Sequence, residues 1–159
     1  MSNAYGVKYL LGIIDVFSRK GMIYKQNDKK SVNFIPNILE FCVNNSFTKE
    51  FVSYNVPEFK NALLKEIYEK EKIVFIHGIP YNPHTQGTIE KFYYTIKKYL
   101  GKEFINNGYK ALNFDSVRIR VINFYNNKVH RMIGMTPNES SKLTLKEDIL
   151  KVNEIKKRI

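Results

Sequence analysis

The sequence predicts a single α/β domain, one sheet with helices on its faces. Three observations carry that expectation. Short unbroken apolar runs at residues 7–16, 22–24, 51–54 and 73–76 have the length and composition of strands. Longer stretches with apolar residues three and four apart alternate with them and then follow them. The chain has 159 residues and is 43% hydrophobic, enough for one sizeable core, and neither an internal repeat nor a Gly/Ser linker divides it.

The elements follow in order. Leu10-Leu11-Gly12-Ile13-Ile14-Asp15-Val16 closes the first strand, and Ser18-Arg19-Lys20-Gly21 leads into the second at Met22-Ile23-Tyr24. Ser31 can cap a helix reaching about Asn44, with Phe34, Ile35, Ile38, Leu39 and Phe41 on its apolar face. Pro36 falls in its first turns, where a proline is tolerated better than further in. After the strand at Phe51–Tyr54, Pro57 opens a helix to about Lys70. Beyond the strand at Ile73–Ile76, residues 80–87 form a polar loop punctuated by Pro80 and Pro83. A long helix runs from about Thr88 to Leu100, with Gly101 as its expected stop. Another runs from Ser116 to about Asn126, and Pro137 starts a short one. Residues 141–159 read as a basic helical tail, with Lys146, Lys151, Lys156, Lys157 and Arg158, following a domain at 5–140.

The formal net charge is +11, from 26 basic and 15 acidic residues. A surplus of that size in one small domain favours a polyanionic partner, most simply nucleic acid. A compositional origin stands beside that reading: Asn, Lys and Ile make up about a third of the chain, and all three have AT-rich codons. No apolar run approaches the roughly 20 residues that span a bilayer, so no membrane association is expected. Cys42 is the sole cysteine, which rules out an internal disulfide framework or a cysteine-rich zinc site and makes an intracellular, reducing compartment the expectation: nuclear in a eukaryote, otherwise cytoplasmic.

Four stretches carry a family resemblance. Tyr9-Leu10-Leu11-Gly12-Ile13-Ile14-Asp15-Val16-Phe17-Ser18-Arg19 is similar to a strand ending in Asp-x-Phe-Ser-Arg. Ser53-Tyr54-Asn55-Val56-Pro57-Glu58-Phe59 is similar to an Asp-Asn-Gly-x-Glu-Phe segment. Tyr81-Asn82-Pro83-His84-Thr85-Gln86-Gly87-Thr88-Ile89-Glu90 resembles a segment bearing a catalytic glutamate. Phe124-Tyr125-Asn126, continued by His130, Gly134, Pro137 and Glu139, is similar to a Tyr-Asn-x-x-x-His-x-x-x-Gly-x-x-Pro-x-Glu ending. In this order the four resemble the catalytic core of retroviral-type and large-transposon integrases. Thirty-five residues separate position 54 from Glu90, a gap similar to that of retroviral-type members.

The resemblance implies a ribonuclease-H-like mixed sheet flanked by helices, DNA as partner, and Mg²⁺ or Mn²⁺ held by three carboxylates for DNA strand transfer. It also implies that a homodimer is possible. Hard divalent cations take oxygen ligands, and a pair of them can stabilise both the attacking and the leaving oxygen of a phosphodiester displacement.

Glu90 matches the third carboxylate. Tyr54 stands where the family has its second, and a neutral phenol is a poor Mg²⁺ ligand. Asn55 offers an uncharged oxygen, and Glu58 lies a helical turn beyond. Asp15 invites assignment as the first carboxylate, yet the family places that residue on an earlier strand. Only two strands fit between residues 7 and 30, where the family has three. Asp15 is therefore read as structural, and the family's first, central strand is expected to be missing. Either the sheet closes differently, or another segment supplies the strand, or the chain is part of a longer protein. An impaired or inactive integrase core is the expected function, with a non-catalytic DNA-binding or oligomerisation module as the alternative. DNA contact is expected from Lys91, Tyr94, Lys97 and Lys98 along the glutamate-bearing helix, and from Arg19. His84 and His130 are read as hydrogen-bonding residues, since a lone loop histidine is more often that than a ligand, and His77, with no partner at ligand spacing, is read as structural.

Overall fold

The structure, a computed structural model, describes residues 6–44, 50–53, 57–60, 62–77, 87–108, 113–143, 150 and 153–154. Strands β1 (Tyr9–Ile14) and β2 (Gly21–Gln26) precede helix α1 (Ser31–Asn44). Strand β3 (Glu50–Ser53), a single 3₁₀ turn at Pro57–Phe59, helix α2 (Ala62–Lys70) and strand β4 (Val74–His77) follow. Helices α3 (Gly87–Asn106), α4 (Phe114–Asn127) and α5 (Pro137–Ser140) complete the order. The mixed α/β architecture expected from the sequence is present. Most of the tail at 141–159 lies outside the described residues.

Strand periodicity explains the layering. Successive side chains of a strand point to opposite faces, and β2 obeys this closely. Ile23 is fully buried among Phe92, Ile96, Leu100, Val117 and Val121 of α3 and α4, while Tyr24 is buried on the other face among Phe34, Ile38, Leu64 and Tyr68 of α1 and α2. Leu10 and Ile14 of β1 pack with the first group, Leu11 and Ile13 with the second. The hairpin is thus the middle layer of three.

The expected single sheet is found as two pairs among the described residues. β1 and β2 pair antiparallel, Gly12 opposite Ile23, and β3 pairs parallel with β4 through the α2 crossover, Val52 opposite Ile76. The Asp15 N–H donates to Lys20 O at 2.8 Å, just beyond the Ile14–Gly21 pair. Alternation along an antiparallel ladder then turns the N–H and C=O of Leu10, Gly12 and Ile14 away from β2, and those of Gly21 and Ile23 away from β1.

Side chains meet both outer edges. On β2 the buried amide of Asn126 accepts from Gly21 N–H at 3.0 Å and donates to Gly21 O at 2.9 Å, and Arg118 Nη1 donates to Ile23 O at 3.2 Å. On β1 the Tyr93 hydroxyl accepts from Gly12 N–H at 2.7 Å and donates to Leu10 O at 3.3 Å. The approach requires glycine, because a Cβ at position 12 would lie 2.8 Å from Tyr93 Cζ. Tyr93→Phe keeps the ring and removes the hydroxyl, leaving a half-buried N–H without its acceptor. A loss of about 1–2 kcal/mol in urea unfolding is expected; an unchanged midpoint would mean the hydroxyl contributes nothing to the edge.

Three helix ends differ from expectation: the helix expected to open at Pro57 is a 3₁₀ turn there, with α2 beginning at Ala62. α3 does not stop at Gly101 but continues to Asn106. A mid-helix glycine costs about 1 kcal/mol, and contacts on either side of it offset that. Leu100 is buried, and Glu103 receives both Nε and Nη2 of Arg120 from α4, at 3.0 and 2.9 Å. The left-handed residue past the end is Gly108, at φ 64°, whose N–H donates to Ile105 O. α4 likewise begins two residues before the expected Ser116, because Asn113 caps it by accepting from Asp115 N–H.

Candidate functional site

α3 is held by one stripe, Phe92, Ile96 and Leu100, buried against the hairpin. That anchoring fixes which residues face outward. Glu90 in the first turn is exposed, as are Lys91, Tyr94, Lys97 and Lys98. Tyr94 is 72% exposed, far more than an aromatic needs for packing. Glu90, Tyr94 and Lys97 follow one another at i, i+4 and i+7, so carboxylate, ring and ammonium share a face. A carboxylate in the first turn also sits favourably at the positive end of the helix dipole.

The loop between β1 and β2 lies beside the start of this helix. The Asp15 carboxylate accepts from Phe17 N–H at 3.0 Å, from Ser18 N–H at 3.1 Å and from the Ser18 hydroxyl. These bonds close the loop and hold Arg19 in the left-handed region at φ 62°, a conformation that costs a non-glycine residue about 1–2 kcal/mol. The constraint sends the Arg19 guanidinium to α3, where Nη1 donates to Thr88 Oγ1 at 2.7 Å. Burial lowers the Arg19 pKa, opposed by the charges of Tyr125 and Asp15. Its Nε is buried with no hydrogen-bond partner among the described residues.

His130 arrives from the turn between α4 and α5. Its N–H donates to Met135 O at 2.9 Å, and its carbonyl accepts from Ile133 and Gly134, the latter at φ 69°. Its Nδ1 accepts from Met132 N–H at 3.3 Å, which leaves the imidazole proton on Nε2 in the neutral form. Burial first, then the charges of Arg19 and Lys91, lower its pKa below 6.5. A histidine depressed in this way takes up its proton more readily unfolded than folded. Folding stability is therefore unaffected well above 6.5 and is lost as the pH falls from there through the depressed value. Urea unfolding at about pH 7.5 and about pH 5.5 should show the parent losing more stability on acidification than His130→Gln; equal losses would contradict the lowered pKa.

The other expected site residues fall into two groups. Tyr54, Asn55 and His84 lie outside the described residues. Glu58 sits in the 3₁₀ turn after β3, pairs with Lys29 Nζ at 3.2 Å, and has its pKa lowered chiefly by its own backbone N–H and then by Lys29. Among the described residues no three His, Cys, Asp or Glu side chains come together to hold a metal ion. Thr88, Tyr125 and His130 around Arg19 were not anticipated from the sequence as a group. Each lies in one of the four resembling stretches, but those stretches are far apart along the chain, and no local pattern marks the grouping.

No protein-family model matches the chain, and no curated protein matches it. Solved structures do. A chain of the simian T-cell lymphotropic virus intasome in complex with PP2A regulatory subunit B56 gamma aligns over 85% of this chain with a TM-score of 0.76 and 19% identity. The HTLV-2 integrase catalytic core domain in complex with magnesium aligns over 83% at 18% identity, with TM-scores of 0.71 in its trimeric form and 0.68 in its dimeric form. This chain spans 48% of the simian virus chain and 83% of the HTLV-2 core chains. The fold is that of retroviral integrase catalytic cores, ribonuclease-H-like, and no described helix is long and apolar enough to cross a membrane.

Proposed function

Proceeding from the integrase-core fold, we propose that this chain is an integrase-type domain that lays DNA along α3, with strand transfer impaired. The observation that carries the reading is the exposed stripe of α3. Glu90 occupies the position of the family's third carboxylate, and Tyr94, Lys97 and Lys98 extend from it along the outward side of the helix, with Lys91 beside it. Ammonium groups neutralise phosphates without reading sequence. An exposed aromatic ring gives an unpaired base a surface to stack on.

Impairment follows from the donor set. The Asp15 oxygens are already engaged by three donors in their own loop, which supports the structural reading of that residue. Tyr54 offers a neutral phenol where a carboxylate is required. On this reading Glu90 is the one carboxylate of the family's three that remains. Mg²⁺ or Mn²⁺, when bound in such a site, activates and stabilises phosphodiester oxygens; a single glutamate does not assemble that site.

The test titrates Mg²⁺ and Mn²⁺ calorimetrically into the parent, Glu90→Ala and Tyr54→Asp, with duplex binding in EDTA measured alongside. The parent is expected to bind DNA in a salt-sensitive manner and to give no saturable metal heat. Metal binding by the parent that Glu90→Ala abolishes would overturn the impairment. Absence of DNA affinity at low salt would overturn the DNA assignment.

A second reading, self-association, has its own support. Ile119 and Phe124 on α4 are 54% and 57% exposed, and large apolar side chains left in water favour a partner. Sedimentation at high concentration should show a dimer; a monomer throughout would remove this reading.

A further inference from the structure

We propose that Arg19, Thr88, Lys91 and His130 form a pocket for one phosphodiester oxyanion of the bound DNA, beside the first turn of α3. The inference rests on the DNA reading above and adds a defined anchoring point to it.

Three segments distant in sequence converge here: the β1–β2 loop, the start of α3, and the turn after α4. Arg19 reaches Thr88 directly at 2.7 Å, and both Arg19 and Lys91 act electrostatically on His130. Thr88 and Lys91 are three apart on α3, so they share the flank that meets the loop, whereas Glu90 is rotated about 100° from Lys91.

The groups are complementary to an anion in kind as well as charge. Arg19 spends Nη1 on Thr88, and its Nε is buried without a partner among the described residues. Because Thr88 Oγ1 accepts that bond, its own proton is free to point elsewhere. His130 Nδ1 is occupied by Met132 N–H, so Nε2 is left as a donor. Lys91 adds an exposed ammonium. The charge of Asp15 acts on Arg19, and three donors within its own loop engage that carboxylate. A guanidinium, a hydroxyl, an imidazole N–H and an ammonium are therefore gathered on one side of the helix start with no carboxylate among the described residues bonded to any of them, and phosphate oxygens match such a set.

The position gives the pocket a purpose. Thr88 and Lys91 belong to the same turn as Glu90 but to the neighbouring side of the helix, so a phosphate held here fixes where the DNA backbone passes relative to that carboxylate.

The experiment follows the His130 imidazole signals by NMR during titration with inorganic phosphate, assigned against His130→Gln among the three histidines of the chain. Duplex binding is measured in parallel as a function of salt for the parent, Lys91→Gln and Arg19→Gln. Lys91 is exposed, so its variant tests the pocket even where loss of Arg19 disturbs the loop. The expected result is a saturable shift of the His130 signals, lost in Arg19→Gln, and a salt slope reduced by about 0.9 in each substituted protein. DNA binding with unchanged slopes in both variants would overturn the pocket while leaving the DNA reading intact. A saturable phosphate shift in a protein that binds no duplex would overturn the phosphodiester assignment, and the DNA reading with it. No saturable shift at all would also overturn the pocket.

Discussion

Gly21→Ala is expected to lower stability by about 3 kcal/mol or more, the largest effect of a single methyl group foreseen in this domain. A Cβ at position 21 would lie 2.3 Å from Phe92 Cε2 and 2.6 Å from Cζ. One of the two sides has to yield. Phe92 is 1% exposed and packs edge-on against Tyr125, with ring centroids 5.0 Å apart, so its ring has no free space to enter. Moving β2 instead would break both bonds between Gly21 and Asn126. Overpacking alone costs about 1–3 kcal/mol, and each buried backbone group that loses its partner adds about 1–3 kcal/mol. Urea unfolding measures the loss. Combining Gly21→Ala with Phe92→Leu should recover part of it, since the two changes share one volume. A neutral Gly21→Ala would show that the strand and ring are further apart than described.

Replacing Lys97, Lys98 and Lys102 together by Gln should reduce the slope of log Kobs against log salt for duplex DNA by about 2.7, close to 0.9 per phosphate contact. Affinity at low salt falls with it. All three side chains are exposed on successive turns of α3, so stability should change by no more than about 0.5 kcal/mol per site. The triple variant leaves Lys91 and Arg19 intact and thus separates the exposed lysines further along α3, Lys102 included, from the proposed phosphate pocket. An unchanged slope with DNA still bound would place the duplex on another surface.

How much of this was legible in the sequence depends on the range of each interaction. The span of α1, Ser31–Asn44, agrees with the helix expected from Ser31 to about Asn44, because a continuous apolar face is a local signal. The strands were legible from short apolar runs, and the outward position of Glu90 from helical spacing. Asp15 precedes Ser18 by three residues, and an aspartate so placed readily bonds backbone N–H groups two and three residues on; the loop was readable in that sense. The end of α3 was misplaced because Gly101 is a local stop signal, whereas what carries the helix past it is tertiary: Glu103 bonded to Arg120, and a buried Leu100. The grouping of Arg19 with Thr88 and His130 was not legible. Arg19 and Thr88 are 69 positions apart, and only the fold brings them together. The same holds for Asn126 and Gly21, 105 apart: the Tyr-Asn pair was noticed as a motif, but its task of completing a strand edge was not.

The Tyr93 hydroxyl, described above as meeting the outer edge of β1, also governs how α3 can turn. A helix resting on an apolar stripe alone can roll about its long axis, since sliding contacts cost little directional energy. One phenol that accepts from Gly12 N–H and donates to Leu10 O acts as a pawl against that rolling. Glu90 lies three residues earlier on the same helix, so its azimuth relative to the sheet is locked by the same bonds. Any strand that took over the β1 edge would have to release the pawl first, leaving the Arg19–Thr88 and Arg120–Glu103 bonds to hold the helix. The edge of the sheet and the aim of Glu90 are thus one mechanical adjustment.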